Sequence, residues 1–235
     1  MSTKEFIINE YISLRLEGVQ TVIYIKGKKF RHCKYLLINI TPQNFRDFDE
    51  MRSIDEVAEF LDHSLDSKKF TNMTPEIEFW GHCSNLQAWE ENEYNPKLIH
   101  SNLSRPLLKE LTKVGDPIAK ARYKEEIIKK YINCEEIFIY LSIKERDLDF
   151  FEEEEIKMLL GDLKWKKVEC YWFFLPFLVN SGYLQLNRNE LEDLVEKSYR
   201  RVHTGKFNKI NVDGALMKEF YQGLLEFERY IDNKR

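Results

Sequence analysis

The sequence predicts an α+β protein, in which an N-terminal antiparallel three-stranded β-meander packs on a mainly α-helical body. Between residues 10 and 40, apolar and polar residues alternate, as on a strand with one buried face. Beyond residue 70, apolar residues recur every three or four positions and follow repeated capping signals, which is typical of helices. We therefore expect the β-meander and one helix in residues 1–70 and the helical body in residues 71–235, joined in one compact unit.

Three runs separated by turn residues indicate the strands. Residues 11–16 alternate apolar and polar, and residues 21–25 are β-branched or aromatic. A third run, residues 30–40, contains the apolar block YLLI. Because the connections are short and contain glycine, we expect neighbouring strands to be antiparallel. The apolar face of so small a sheet must pack against helices or a partner.

Capping residues and prolines mark the starts of the predicted helices. A candidate capping box at residues 53–56 starts a helix to about residue 65. Three further helices are predicted by a capping side chain placed before a proline. This device occurs at Thr74-Pro75, Asn95-Pro96 and Asp116-Pro117. The last of these helices should bury Ile118, Ala121 and Ile128. The short helix pairs resemble those of HEAT repeats, although the sequence has no clear internal period.

Further signals continue the helical pattern to the C-terminus. Ser142 and Glu145 form a second candidate capping box, and the acidic run at residues 152–155 precedes a helix to about residue 163. Residues 189–202 and 212–230 are two more amphipathic segments. The aromatic residues between positions 165 and 177 are most simply core.

Composition limits the classes of function. Hydrophobic residues make up 43% and aromatic residues 14% of the 235 residues, enough for a core without metal ions or disulfides. The four cysteines are dispersed and form no zinc-binding pair, so we expect no metal site, no cofactor and a reducing, cytoplasmic setting. The most apolar stretch, residues 171–179, is too short to span a membrane.

The charge balance argues against nucleic acid as a partner, because the net charge of -4 supplies no global attraction to phosphates. Two basic clusters are local candidates for phosphate binding, but basic residues on a solvated face are the commoner case. The first cluster comprises Lys26, Lys28, Lys29, Arg31, His32 and Lys34. The second comprises Lys197, Arg200, Arg201, His203, Lys206 and Lys209.

The densest group of candidate site residues lies in the segment from position 82 to position 105. It comprises His82, Asn85, Gln87, His100, Asn102 and Arg105. His82 and Asn85 share a helix face with Glu78 and Trp89, because these positions are three or four residues apart. This arrangement suits a polar pocket that binds a partner or ligand. The alternative is a buried hydrogen-bond network that holds helices together.

Catalysis is a further alternative, with Cys83 as a nucleophile and His82 or His100 as its base. Adjacent side chains on a helix diverge, so His82 is poorly placed to serve Cys83 and His100 would have to approach from the next helix. The sequence contains no GxSxG, GxxxxGK[ST] or GxGxxG motif, which argues against the common serine hydrolases, P-loop NTPases and Rossmann enzymes.

Three short segments resemble a module found in large leucine-rich-repeat proteins of archaea, notably the Asgard group. They read FWGHCSNLQ from Phe79, LIHSNL from Leu98 and VGDP from Val114. Residues 30–40 and 53–56 also resemble the region that precedes this module. The resemblance covers residues 10–135 and implies an archaeal intracellular setting and an interaction role, with no catalytic residues. Beyond residue 135 the LxxLxLxxN repeats of those proteins are missing.

Together, these observations predict a cytoplasmic protein-interaction or regulatory module without catalytic activity, whose site is the group from His82 to Arg105 and whose partner is a protein. The alternative is an enzyme or small-ligand-binding protein that uses a polar pocket around His82, Cys83 and His100. An enzyme should bring titratable groups together in a cleft, whereas an interaction module should expose a broad apolar or charged surface.

Overall fold

A computed structural model describes residues 4–31, 74–210 and 213–233 of the chain. In this part of the chain, an antiparallel sheet is followed by eight α-helices, which confirms the α+β class with a mainly helical body. The chain divides into two compact units, Met1–Tyr123 and Lys124–Arg235. None of the described helices is long and apolar enough to cross a membrane.

The described sheet has four strands in the order β1-β2-β3-β4, and each pair of neighbours is antiparallel. The strands are β1 Lys4–Ile7, β2 Ile12–Glu17, β3 Gln20–Ile25 and β4 Lys28–Lys29. The prediction of a three-stranded meander missed β1, whose four residues offer too little alternation to be recognised, and the two-residue strand β4. Most of the predicted third strand, residues 30–40, and the predicted helix after residue 53 lie outside the described residues.

One face of the sheet packs against α1, which spans Pro75–Glu91. Ile12, Leu14 and Leu16 alternate with half-buried polar residues along β2, so that the apolar residues share a buried face. Register places Leu14 between Phe6 of β1 and Ile23 of β3. The first unit is thus built as an antiparallel sheet with one covered face, as the alternating pattern predicts.

Two of the three predicted helix starts in the first unit are confirmed. Thr74 accepts a hydrogen bond from the amide of Ile77 (3.3 Å) at the start of α1. Asp116 caps α3, Pro117–Asn133, by accepting bonds from the amides of Ile118 and Ala119, both 3.0 Å.

The predicted helix start at Asn95-Pro96 was wrong. α2 spans Ser101–Lys113 and begins after His100. The side chain of Asn95 instead accepts a bond from the amide of Lys97 at 3.1 Å, which closes a local turn. Asparagine can stabilise a turn as readily as a helix start, and here the turn prevails.

The buried face of α3 also differs from the prediction. Of the residues predicted to be buried, Ile118 is 51% exposed, Ala121 is exposed and Ile128 is half-buried. Four other residues, at intervals of four, are fully buried. These are Ala119, Tyr123, Ile127 and Tyr131. The sequence contains two overlapping apolar stripes on this helix, and the stripe with two large aromatic side chains buries more surface.

In the second unit, the remaining helices follow α3 in sequence, with two short 3₁₀ segments at Asp147–Phe150 and Lys206–Lys209. The helices are α4 Glu136–Lys144, α5 Glu153–Lys166, α6 Val168–Asn180, α7 Arg188–His203 and α8 Gly214–Asp232. The predicted capping box at Ser142 was wrong, because Ser142 lies inside α4 and its hydroxyl donates to the carbonyl of Ile139 (2.8 Å).

An aromatic cluster lies in the core of the second unit. The interpretation of the aromatic residues as core is confirmed for Phe173 and Phe174, whereas Tyr171, Trp172 and Phe177 are half-buried. Phe173 of α6 stacks on Phe220 of α8, with ring centroids 4.9 Å apart and planes 10° apart. Phe207 contacts both rings edge-on, at 5.6 Å and 5.4 Å. All three side chains are buried, so this cluster joins α6, α8 and the second 3₁₀ segment.

Two cysteines of the second unit are bonded to each other. Cys134, in the turn between α3 and α4, forms a disulfide with Cys170 of α6, and their Cα atoms are 6.2 Å apart. The expectation of four isolated cysteines was wrong for this pair, because 36 residues separate the two positions in sequence. Pairing over such a separation leaves no local signal.

Candidate functional site

His82 lies on the inner side of α1 and is 3% exposed. Its Nε2 is 3.3 Å from Oε1 of Glu78, and its Nδ1 is buried with no hydrogen-bond partner among the described residues. Burial lowers the pKa of the imidazole, and this effect outweighs the opposing effect of Glu78. His82 is therefore a neutral core residue at neutral pH, with little surface to offer a partner.

Asn85 and Gln87 lie on different sides of α1. Asn85 is half-buried, on the helix side that also carries His82 and buried Trp89. The predicted shared face thus exists, but His82 and Trp89 on this face are buried in the core. Gln87 is exposed and donates from Nε2 to Oε1 of Glu91 at 2.8 Å. Gln87 is consequently available for contacts with a partner, whereas His82 is not.

His100, Asn102 and Arg105 lie at the start of α2. The Nδ1 atom of His100 accepts a hydrogen bond from the amide of Asn102 at 3.1 Å, so the imidazole caps the helix. The Asn102 side chain is exposed and Arg105 is half-buried. The bonds shown for His82, Gln87 and His100 each reach a residue two to four positions away. They support local helix geometry.

The chemistry of Cys83 does not favour the catalytic alternative. Cys83 is 2% exposed, and burial raises the pKa of its thiol to about 12. A nucleophilic cysteine needs its thiolate form and access to substrate. In the described ranges, no group of three or more His, Cys, Asp or Glu residues is arranged to hold a metal ion.

A buried polar network in the first unit was missed by the sequence analysis. The hydroxyl of Tyr94 donates to Oδ2 of Asp116 at 2.6 Å and accepts from Nδ2 of Asn9 at 2.9 Å. The Oδ1 of Asn9 accepts from the amides of Tyr11 and Ile12, both at 2.9 Å. This Asn9–Tyr94–Asp116 network connects the β1–β2 turn, the segment after α1 and the start of α3.

The network holds a strained segment of backbone in place. Glu93 and Tyr94 both have left-handed backbone conformations, with φ of 54° and 58°. Such conformations are costly for residues with a side chain and persist where the surrounding structure determines them. Tyr94 is 1% and Asp116 2% exposed, and burial with the hydrogen bond to Asp116 raises the pKa of Tyr94. The network therefore has a structural role.

The outer side of α1 carries exposed, uncharged side chains, which we call the α1 stripe. It comprises Ile77, Trp80, Ser84, Gln87 and Ala88. Ile77 is 57% and Trp80 is 50% exposed. Spacings of three and four keep these positions on one side of the helix. A solvated helix face normally carries charges, and 32% of this chain is charged, so an uncharged stripe indicates a contact surface.

Aromatic neighbours hold Trp80 in a defined position. The ring of Phe6 on β1 meets the Trp80 ring edge-on, with centroids 5.9 Å apart. Phe79 contacts the same ring at 5.1 Å. One turn earlier, Lys4 of β1 forms an ion pair with Glu76 at 3.3 Å. An exposed tryptophan fixed by its neighbours loses little conformational entropy on binding, which favours its use as an anchor.

Negative charge flanks the α1 stripe. The helix contains four glutamates and neither lysine nor arginine. The glutamates are Glu76 and Glu78 in the first turn and Glu90 and Glu91 in the last. A partner that covers the apolar centre of the stripe should therefore carry basic residues toward both ends.

Several residues of the two predicted basic clusters are paired with acidic side chains. In the first, Lys26 contacts Glu10 and Lys29 contacts Glu17, both at 2.9 Å. His32 and Lys34 of this cluster lie outside the described residues. The second cluster is on and after α7, where three of its basic residues have acidic partners. These pairs are Lys197–Asp193 (2.6 Å), Arg200–Glu196 (2.6 Å) and Arg201–Glu169 (3.2 Å). Such pairing weakens the attraction of either surface for phosphate.

No protein-family model, curated protein or solved structure matches this chain.

Proposed function

We propose that the chain is a cytoplasmic protein-interaction module without catalytic activity, and that the α1 stripe is its contact surface. The observation that carries this proposal is Trp80, which is half exposed, belongs to the uncharged α1 stripe and is held by Phe6. Tryptophan is the residue type most enriched among those that dominate binding energy at protein interfaces. The archaeal setting and the association with leucine-rich-repeat proteins, implied by the resemblance, belong to this proposal.

The partner that suits this surface is a protein segment with apolar side chains at its centre and lysine or arginine at its edges. The apolar side chains would cover Ile77 and Trp80, and the basic residues would face the glutamates at either end of α1. Of the six residues first predicted as the site, Gln87 lies on the stripe, whereas His82 is buried on the opposite side of α1. A contribution of Asn102 and Arg105 to the same interaction stays a prediction.

Buried Cys83 and the local hydrogen bonds of His82 and His100 lend no support to the enzyme alternative. The interaction proposal also accounts for an otherwise unfavourable feature, since an exposed tryptophan and isoleucine on one helix turn attract other apolar surfaces. A specific partner would cover that surface.

The proposal is tested by affinity capture from an extract of the source cells, followed by a binding measurement with each captured protein. The stripe variant is Trp80→Ala. The matched control is Met158→Ala, because Met158 is 77% exposed and lies on α5 in the second unit. Circular dichroism checks that both variants are folded. We expect Trp80→Ala to weaken binding by roughly 30-fold or more, which corresponds to about 2 kcal/mol.

Met158→Ala should leave the affinity unchanged. Equal affinity of the wild type and Trp80→Ala for every specific partner would contradict the assignment of the stripe. An Asn102→Ala, Arg105→Ala double variant then tests the site first predicted from the sequence. Turnover of a captured small molecule would contradict the non-catalytic role.

A further inference from the structure

The disulfide between Cys134 and Cys170 joins two helix ends of the second unit. Cys134 immediately follows α3, and Cys170 lies in the first turn of α6. The two residues differ in accessibility, since Cys134 is half-buried and Cys170 is 3% exposed. A thiol from solution therefore approaches the bond more readily from the side of Cys134.

Cys134 occupies a strained position. Its φ is 53°, in the left-handed region, and it forms the turn that separates α3 from α4. Its amide donates to the carbonyl of Tyr131 at 3.0 Å, and the next amide, of Glu135, donates to the carbonyl of Lys130 at 2.9 Å. The side chains of Lys130 and Glu135 also form an ion pair at 2.6 Å. The disulfide adds a covalent restraint to a turn that a non-glycine residue adopts at a cost.

On the other side of the bond, the start of α6 is held against α7 by non-covalent contacts. Arg201 of α7 forms an ion pair with Glu169 at 3.2 Å. The guanidinium of Arg201 and the ammonium of Lys197 lie over the ring of Trp172, 4.6 Å and 5.3 Å from its centroid. The first turn of α6 thus has a reversible attachment to α7 and a covalent attachment to the α3–α4 turn.

We propose that Cys134 and Cys170 form a reversible thiol–disulfide switch that sets the stability of the second unit. Opening is a two-electron reduction by a dithiol. One thiolate of the dithiol attacks the sulfur of Cys134, the S–S bond breaks, and Cys170 leaves as a thiolate that takes up a proton. The second thiol of the dithiol then attacks the mixed disulfide and releases Cys134 as a thiol. The protein gains two electrons and two protons, and the dithiol becomes a disulfide.

The reverse reaction needs an oxidant of the disulfide class, such as oxidised glutathione. Cys83 takes no part, because it is buried in the first unit and is a single thiol in the described part of the chain. Since disulfides persist in oxidising compartments and open in reducing ones, the state of this bond would report the redox state around the protein.

The switch is tested on the full chain in a Cys33→Ser background, which leaves three cysteines. Alkylation and mass spectrometry count the reactive thiols, and circular dichroism follows thermal unfolding. After treatment with oxidised glutathione, we expect one thiol to be alkylated under denaturing conditions. After treatment of the folded protein with dithiothreitol, we expect three, with an unfolding midpoint lower by roughly 10 °C. Oxidised glutathione should restore both values.

Two variants serve as controls. Cys134→Ser should unfold at the midpoint of the reduced protein and should not respond to dithiothreitol. Cys83→Ala should keep the full response. If Cys134→Ser does not fold, the measurements with and without dithiothreitol still decide the question. Each of three results would overturn the proposal. The first is three alkylated thiols after oxidation, and the second is a disulfide that dithiothreitol opens only in denatured protein. The third is an unfolding midpoint that does not change on reduction.

Discussion

Two core clusters, one in each unit of the chain, are held together by different means. The first buries a polar network in which Asn9, Tyr94 and Asp116 join three segments through hydrogen bonds. The second buries stacked phenylalanines and adds a disulfide. Hydrogen bonds need a defined geometry, whereas apolar packing depends mainly on filled volume. The Asn9–Tyr94–Asp116 network should therefore be sensitive to changes of chemistry at constant size, and the phenylalanine cluster to changes of volume.

Two tryptophans, one in each unit, lie partly at the surface and show a related difference. Trp172 in the second unit is half-buried and has Arg201 and Lys197 over its ring. Trp80 in the first unit meets Phe6 and Phe79 edge-on and is 50% exposed. The ring of Trp172 contacts cationic side chains of its own unit, whereas half of the Trp80 surface is available for contact with another molecule. This difference is why we assign binding to Trp80.

The largest expected effect tests the volume dependence of the second unit. Phe173→Ala removes a ring that stacks on Phe220 and contacts Phe207, so we expect unfolding to become easier by about 4 kcal/mol. Phe173→Leu, which keeps most of the volume, should cost less than half as much. Urea denaturation measures both. Equal costs for the two variants would show that volume is not what the cluster requires.

The next effect tests the chemistry of the first unit. Asp116→Ala removes the cap of α3 and the acceptor of the Tyr94 hydroxyl, and we expect a loss of about 3 kcal/mol in the free energy of unfolding. Asp116→Asn keeps a capping oxygen and the size of the side chain but replaces the acceptor of the Tyr94 hydroxyl with a donor, so we expect a cost of about 2 kcal/mol. Thr74→Ala, at an exposed cap, is the reference at about 1 kcal/mol. An Asp116→Ala cost no larger than that of Thr74→Ala would remove the stabilising role of the network.

A paired substitution sharpens the comparison of the tryptophans. Trp172→Ala should lower the free energy of unfolding by about 2 kcal/mol, because it removes apolar contacts and two cation–π interactions. Trp80→Ala should cost about 1 kcal/mol, since half of its surface is already in water. Urea denaturation of the two variants checks the order. A larger cost for Trp80 would make it a structural residue and weaken its assignment to binding.

The smallest effect concerns the pH dependence of the first unit. Because burial lowers the pKa of His82 in the folded protein, the unfolded chain takes up the proton first as the pH falls. Stability from this residue is complete above the unfolded pKa of about 6.5 and declines below it, by at most ~1.4 kcal/mol per pH unit. His82→Gln should remove this decline, and exposed His203→Gln should not. Urea denaturation between pH 7 and pH 5 gives the change of the free energy of unfolding with pH. The same change in His82→Gln and in the wild type would contradict this role of His82.

Local signals in the sequence predicted those features that depend on neighbouring residues. The caps at Thr74 and Asp116 and the helix that starts at residue 75 were predicted correctly. A capping side chain bonds a backbone amide only two or three residues later, so its signal is local. The Asn95 start failed although its signal was equally local, because the same side chain also stabilises a turn. Of the predicted site group, Gln87 is exposed on α1 as a binding residue requires, whereas His82 is buried.

The sequence by itself determined the α+β class, the alternation that buries one face of the sheet, and the place of Phe173 and Phe174 in the core of the second unit. These follow from the periods of strand and helix and from the amount of apolar surface. Only the tertiary structure decided which side of α1 is buried, that Asn9 meets Tyr94 across 85 residues, and that Cys134 meets Cys170 across 36. The physical reason is that α1 has apolar residues on two sides, so the local sequence does not decide which side faces the sheet. Packing against the sheet buries one side and leaves Trp80 exposed on the other.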